Sequence, residues 1–113
     1  MAGPSSEHLD EVFFALSDQT RRSIVRQLAK GEATVGQLSL PQPLAPGTLS
    51  KHLRVLERAG LIRQERDGRF LRTRLSPGPL WTTMDWLADL RQLWEQQLDG
   101  LERYLRTQRS RRP

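Results

Sequence analysis

Pro46-Gly47-Thr48-Leu49-Ser50-Lys51-His52-Leu53-Arg54-Val55-Leu56-Glu57-Arg58-Ala59-Gly60 is the stretch on which the reading of the chain turns. Leu49, Leu53 and Leu56 recur at i, i+4 and i+7, the spacing of one apolar helix face. At about 100° per residue, Gly47, Thr48, Lys51, Arg54 and Arg58 fall on the opposite side, with Ser50 at its flank. Pro46 suits a first turn, where its missing N–H leaves nothing unsatisfied, and Gly60 suits the residue after the last turn. The stretch is therefore expected to be an amphipathic helix with a basic, hydroxyl-bearing outer face.

Downstream, residues 61–66 and 69–75 read as two strands. Asp67-Gly68 between them is a strong two-residue hairpin signal, which places Arg66 and Arg69 on either side of the turn. Ser76-Pro77-Gly78-Pro79 then breaks the chain before a long helix expected over 80–106. Leu80, Met84, Leu87, Leu90, Trp94, Leu98, Leu101 and Leu105 follow one another there in steps of three and four, and Trp81, Trp86, Leu93 and Tyr104 widen the stripe. Such a stripe is broader than one thin domain covers, so it marks a dimer interface, assigned to Leu80, Met84, Leu87, Leu90, Trp94, Leu98 and Leu101.

Upstream, Leu9, Val12, Phe13 and Leu16 give a helix over 7–16. Asp18 is a natural N-cap for a second helix that buries Ile24, Val25 and Leu28 and stops at Gly31. Thr34-Val35-Gly36-Gln37 has the spacing of a capping box, for a short helix that Pro41 and Pro43 interrupt. The short helix and the basic one, joined by a proline-containing turn, form a helix-turn-helix. The expected fold is mainly α with a small β-hairpin: a winged helix-turn-helix with a long C-terminal dimerisation helix. The whole chain, 1–113, is expected to be one domain, with the winged helix over 7–79, the terminal helix over 80–106 and a flexible basic tail over 107–113.

Composition bounds the chemistry. The chain has no cysteine, which excludes disulfides, thiolate metal sites and thiol redox switches. No run approaches the ~18 apolar residues of a membrane span, and residues 1–6 lack the basic and apolar regions of a secretory signal, so the cytoplasm is the expected compartment. The net charge of +5 is unevenly spread: residues 46–75 carry eight bases and three acids, whereas 76–102 carry one base and five acids. Binding a polyanion is one physical reason for that segregation, and a solvated charged face is the other. There is no glycine-rich phosphate loop, no metal-ligand spacing and no nucleophile–base pair, which argues against an enzyme. Charge alone is compatible with RNA, but the chain lacks the aromatic stacking positions usual for single-strand recognition.

In a helix-turn-helix the second helix enters the major groove with its N-terminal residues facing the base edges. Thr48, Ser50, Lys51, His52 and Arg54 are of the types that reach bases or phosphates, and Arg66 and Arg69 on the hairpin suit phosphates or a narrow minor groove. For His52 a DNA contact is favoured over a half-buried place in the helix, since the sequence sets no catalytic partner beside it. Arg21 and Arg22 fit either a phosphate contact or an internal salt bridge. The competing reading is a winged-helix protein-interaction module whose basic faces are incidental.

Asp18-Gln19-Thr20-Arg21-Arg22-Ser23-Ile24-Val25, Ala33-Thr34-Val35-Gly36-Gln37-Leu38 and above all Ser50-Lys51-His52-Leu53 through Ala59-Gly60-Leu61-Ile62 resemble the ArsR-type transcriptional regulators. The closing run from Trp86-Leu87 through Trp94-Glu95 to Tyr104-Leu105 is similar to a metal-independent branch of that family. The resemblance implies a homodimer that binds double-stranded operator DNA as a transcriptional repressor. It places Thr48, Ser50, Lys51 and His52 in the recognition helix and Arg66 and Arg69 at the wing tip. Metal-sensing members have cysteines near the recognition helix, or histidine with carboxylates on the last helix. This chain has neither, so no metal and no cofactor are expected, and any small-molecule effector is unidentified. Residues 40–47 are richer in proline than the family usually is, and Ala45 stands where a serine cap is common.

Overall fold

The computed structural model describes residues 6–110 and forms four helices and three short strands. In chain order these are α1 (Ser6–Leu16), α2 (Gln19–Leu28), β1 (Ala33–Thr34), a 3-10 turn (Val35–Gln37), α3 (Thr48–Arg58), β2 (Ile62–Asp67), β3 (Phe70–Leu75) and α4 (Gly78–Ser110). They fall into two compact units, 1–83 and 84–113.

In the first unit, Val12 and Ala15 of α1, Ile24 and Leu28 of α2, and Leu53 and Leu56 of α3 meet Ala59, Leu61 and Ile62 in one buried core. Leu49, Val55 and Leu80 pack against its edge. A fully buried leucine or isoleucine stabilises the fold by about 1.5–3 kcal/mol, so this small core carries most of the unit's stability. Local chemistry sets the boundaries. Asp18 accepts from the Arg21 N–H at 3.1 Å and starts α2. At the end of α3, Leu61 N–H donates to Leu56 O at 3.0 Å and Gly60 N–H to Glu57 O at 2.9 Å, with Gly60 at φ +74°. That is a complete Schellman closure, and it turns the chain directly from α3 into β2.

The sheet is antiparallel in the order β1-β3-β2. Its third strand, β1, was not expected; two residues leave no periodicity to read. Its hairpin is also shifted by one residue from expectation. Asp67 pairs with Phe70, so the two turn residues are Gly68 and Arg69 rather than Asp67 and Gly68. Gly68 has φ +62° and Arg69 a negative φ, which suits a type II′ turn with glycine in its first central place. Arg66 consequently pairs with Leu71, while Arg69 stands at the tip.

The expected short helix at 35–40 is only the 3-10 turn. Gln37 Oε1 does accept from Thr34 N–H at 2.9 Å, but no second turn follows. The proline-rich segment after it is irregular and is tied down at Ser39, whose N–H and C=O both bond the Gln27 side chain at 2.8 and 2.6 Å. Pro46 lies before α3 rather than inside its first turn, because Gly47, at φ +84°, is the N-cap.

The second unit consists of α4 beyond Thr83. The helix continues to Ser110, past the expected end near Arg106. Residues 111–113 of the expected tail lie outside the described residues. Met84, Leu87, Leu90, Leu93, Trp94, Leu98, Leu101, Tyr104 and Leu105 are all exposed, between 44% and 65%. Arg91–Glu95 at 3.0 Å and Glu102–Arg106 at 2.6 Å are i,i+4 pairs on the polar side.

Candidate nucleic-acid interface

Burying Leu53 and Leu56 fixes which side of α3 faces out: Ser50, Lys51, Arg54 and Arg58 are exposed and Thr48 is half-buried. Beside the helix lies a cleft of about 880 Å³, lined among others by Gln37 of the 3-10 turn, Ser50 and Arg54 of α3, and Arg69 of the hairpin turn. Lys51 and Arg58 line a separate groove with Phe14, Asp10 and Glu11 of α1. Arg66 is exposed but is not part of the cleft.

Ion pairing sorts the arginines. Arg72 is held by Asp67 at 2.9 Å and Glu32 at 3.5 Å, and Arg74 by Glu65 at 3.6 Å. Arg22 donates to the Leu16 carbonyl. Lys51, Arg54, Arg58, Arg66 and Arg69 make no ion pair among the described residues. Of these, Arg54 and Arg69 line one cleft, together with Ser50 of the same helix as Arg54. Unneutralised guanidinium groups on both walls of a groove suit a phosphate backbone.

His52 is half-buried. Its side chain is only 15% exposed, and Nδ1 lies 3.0 Å from Arg21 Nη1 and 3.9 Å from Asp18 Oδ2. The ring is turned toward the side chains of Arg21 and Asp18. Arg21 is internal but makes no salt bridge among the described residues: it is 8% exposed and bonded to the carbonyls of Phe14 and Ala15. Partial burial raises the pKa of Asp18. The Arg21 backbone N–H, the Arg21 guanidinium and the Thr20 backbone N–H act the other way, and the carboxyl sits below its ordinary value.

Sequence reasoning missed Gln37, and it placed Arg58 on the outer face without counting it as a site residue. The Arg21–His52 contact spans 31 residues, so no local pattern announces it. Among the described residues no group of three or more His, Asp or Glu side chains is arranged to hold a metal ion, and no helix is long and apolar enough to cross a membrane.

Residues 18–64 match the model of the bacterial regulatory protein arsR family. The chain is similar to the transcriptional repressor SdpR of Bacillus subtilis, with 32% identity over 81 residues, covering 72% of this chain and 90% of SdpR. It is also similar to the HTH-type transcriptional regulator Rv2034 of Mycobacterium tuberculosis, with 35% identity over 80% of this chain and 82% of the relative. Among solved structures, the ArsR family transcriptional regulator RHA00566 superposes with a TM-score of 0.76 and 35% identity, over 83% of this chain and 97% of that one. The elements, their order and these likenesses agree: the chain is a winged helix-turn-helix protein and belongs to the ArsR family of bacterial regulatory proteins.

Proposed function

We propose that the protein is a cytoplasmic, sequence-specific repressor that binds double-stranded operator DNA as a homodimer and needs no metal or other cofactor. The observation that carries this reading is the cleft lined by Ser50, Arg54 and Arg69; Glu57 also lines it, but neither arginine is ion-paired among the described residues. Ser50 and Arg54 come from the reading helix, joined on its outer side by Thr48 and Lys51. Arg69 at the wing tip meets the backbone, and Arg66 adds charge beside it. The repressor in SdpR's name supports the sign of regulation.

The homodimer rests on α4. Its exposed apolar positions include Met84, Leu87, Leu90, Trp94, Leu98 and Leu101, a continuous face that water does not cover favourably. Leu80 belongs to the same stripe in the sequence but packs against the core, so its part in the interface is small.

Footprinting with purified protein upstream of its own gene and its neighbours tests the proposal. Protection of a defined, two-fold related site is expected, and zinc, cadmium or arsenite at stoichiometric amounts should leave it in place. Uniform weak protection at every sequence would refute specific binding, and release by a stoichiometric metal would refute metal independence.

A further inference from the structure

Arg21 directs one donor from each of its three side-chain nitrogens to partners inside the protein. Nε–H donates to the Ala15 carbonyl at 2.8 Å and Nη2–H to the Phe14 carbonyl at 2.9 Å, so the guanidinium closes the C-terminus of α1. Its carbon lies 5.1 Å from the Phe14 ring centroid. The third bond leaves this corner for α3: Nη1 is 3.0 Å from His52 Nδ1. A guanidinium only donates and stays protonated. Nδ1 must therefore be the acceptor, which makes the imidazole neutral with its proton on Nε2. Asp18 Oδ2, 3.9 Å from the same nitrogen, is too far for a hydrogen bond and serves as the N-cap of α2.

Packing of Leu53 and Leu56 holds α3 to the core but is not directional. A hydrogen bond to an arginine already fixed by two carbonyls is directional. His52 is one residue from Lys51 and two from Ser50 and Arg54, so fixing its ring fixes the angle at which those three leave the helix.

We propose that His52 is a positioning residue for DNA recognition: its Nδ1, held by Arg21, sets the rotation of α3 about its own axis, and with it the operator preference, without touching DNA. This rests on α3 being the reading helix.

The test measures affinity for the footprinted operator and for a random-sequence duplex, over a range of salt, in wild type, His52→Ala and His52→Asn. In His52→Ala the operator-to-random ratio should fall about tenfold, the effect of one hydrogen bond to a charged partner. Affinity for random DNA and its salt slope should not change, and the loss should be spread over the half-site. His52→Asn, whose Oδ1 can stand in for Nδ1, should restore most of the ratio. An unchanged ratio in His52→Ala, a loss confined to one base pair, or a shallower salt slope would each overturn the proposal. If His52→Ala does not fold, the imidazole nitrogen shifts of the wild-type protein decide it: a bare Nδ1 and a protonated Nε2 are expected, and a protonated Nδ1 overturns it. A wild-type protein with no operator preference would instead remove the functional reading beneath it.

Discussion

Replacing Arg54 and Arg69 together by Ala removes the two unpaired cations that face each other across the α3–hairpin cleft. Each phosphate neutralised contributes about 0.9 to the slope of log affinity against log salt. The double variant should thus bind with a slope shallower by about 1.8. Between ~50 and ~200 mM salt, the gap between wild type and variant should narrow by about twelvefold. Both side chains are exposed, and Ala fits the negative φ at position 69 while Gly68 keeps its own, so unfolding free energy should stay within about 0.5 kcal/mol of wild type. Fluorescence anisotropy with a labelled operator at five salt concentrations reads the slope. Arg63→Ala is the control: Arg63 is exposed and unpaired but alternates to the opposite face of the hairpin from Arg66, and its loss should leave the slope unchanged. A full wild-type slope in the double variant, or an equal loss in Arg63→Ala, would show that the cleft is not where the backbone lies.

Three further outcomes follow from the packing and the caps. Asp18→Asn keeps the capping oxygen and removes the charge. Because the folded pKa of Asp18 lies below its unfolded value, its charge-dependent stabilisation is present above the ordinary carboxylate pKa of about 4 and is lost as pH falls through the lower folded value; the stability difference between the two proteins, read by urea titration, should shrink over that window and not above it. Thr73 is fully buried in the central strand and its hydroxyl has no partner, so Thr73→Val should raise unfolding free energy by about 1 kcal/mol, whereas destabilisation would mean that the hydroxyl is satisfied in solution. Leu98→Glu puts a charge in the exposed α4 stripe and should convert the protein in sedimentation from twice its 13.0 kDa chain mass to a monomer; an unaltered mass would place the dimer elsewhere.

The sequence was most legible where one residue type has one local use. Asp18 as a cap, Gly60 after α3 and the 3-4 spacing of Leu49, Leu53 and Leu56 correspond directly to hydrogen bonds and burial in the fold. Reading failed where two local solutions compete. Asp-Gly favours a turn with both residues central, yet Gly68-Arg69 takes the turn and lets Asp67 reach Arg72 at 2.9 Å. That one-residue shift separates Arg66 from Arg69 and leaves only Arg69 in the cleft. The capping-box spacing at Thr34–Gln37 was genuine but closes a single turn, since a cap does not lengthen a helix that Pro41 soon forbids. The inward turn of His52 was illegible for a different reason. On the helix it lies beside Lys51, and only the position of Arg21, fixed by the carbonyls that end α1, draws the ring inward.

The central claim is that this helix and hairpin read duplex DNA by sequence. Competition of the footprinted operator against random-sequence duplex, at ~150 mM salt, tests it most directly. The expected result is a preference of about a thousandfold or more, with two chains bound per operator. Equal affinity for both duplexes, or no binding to either, would contradict it.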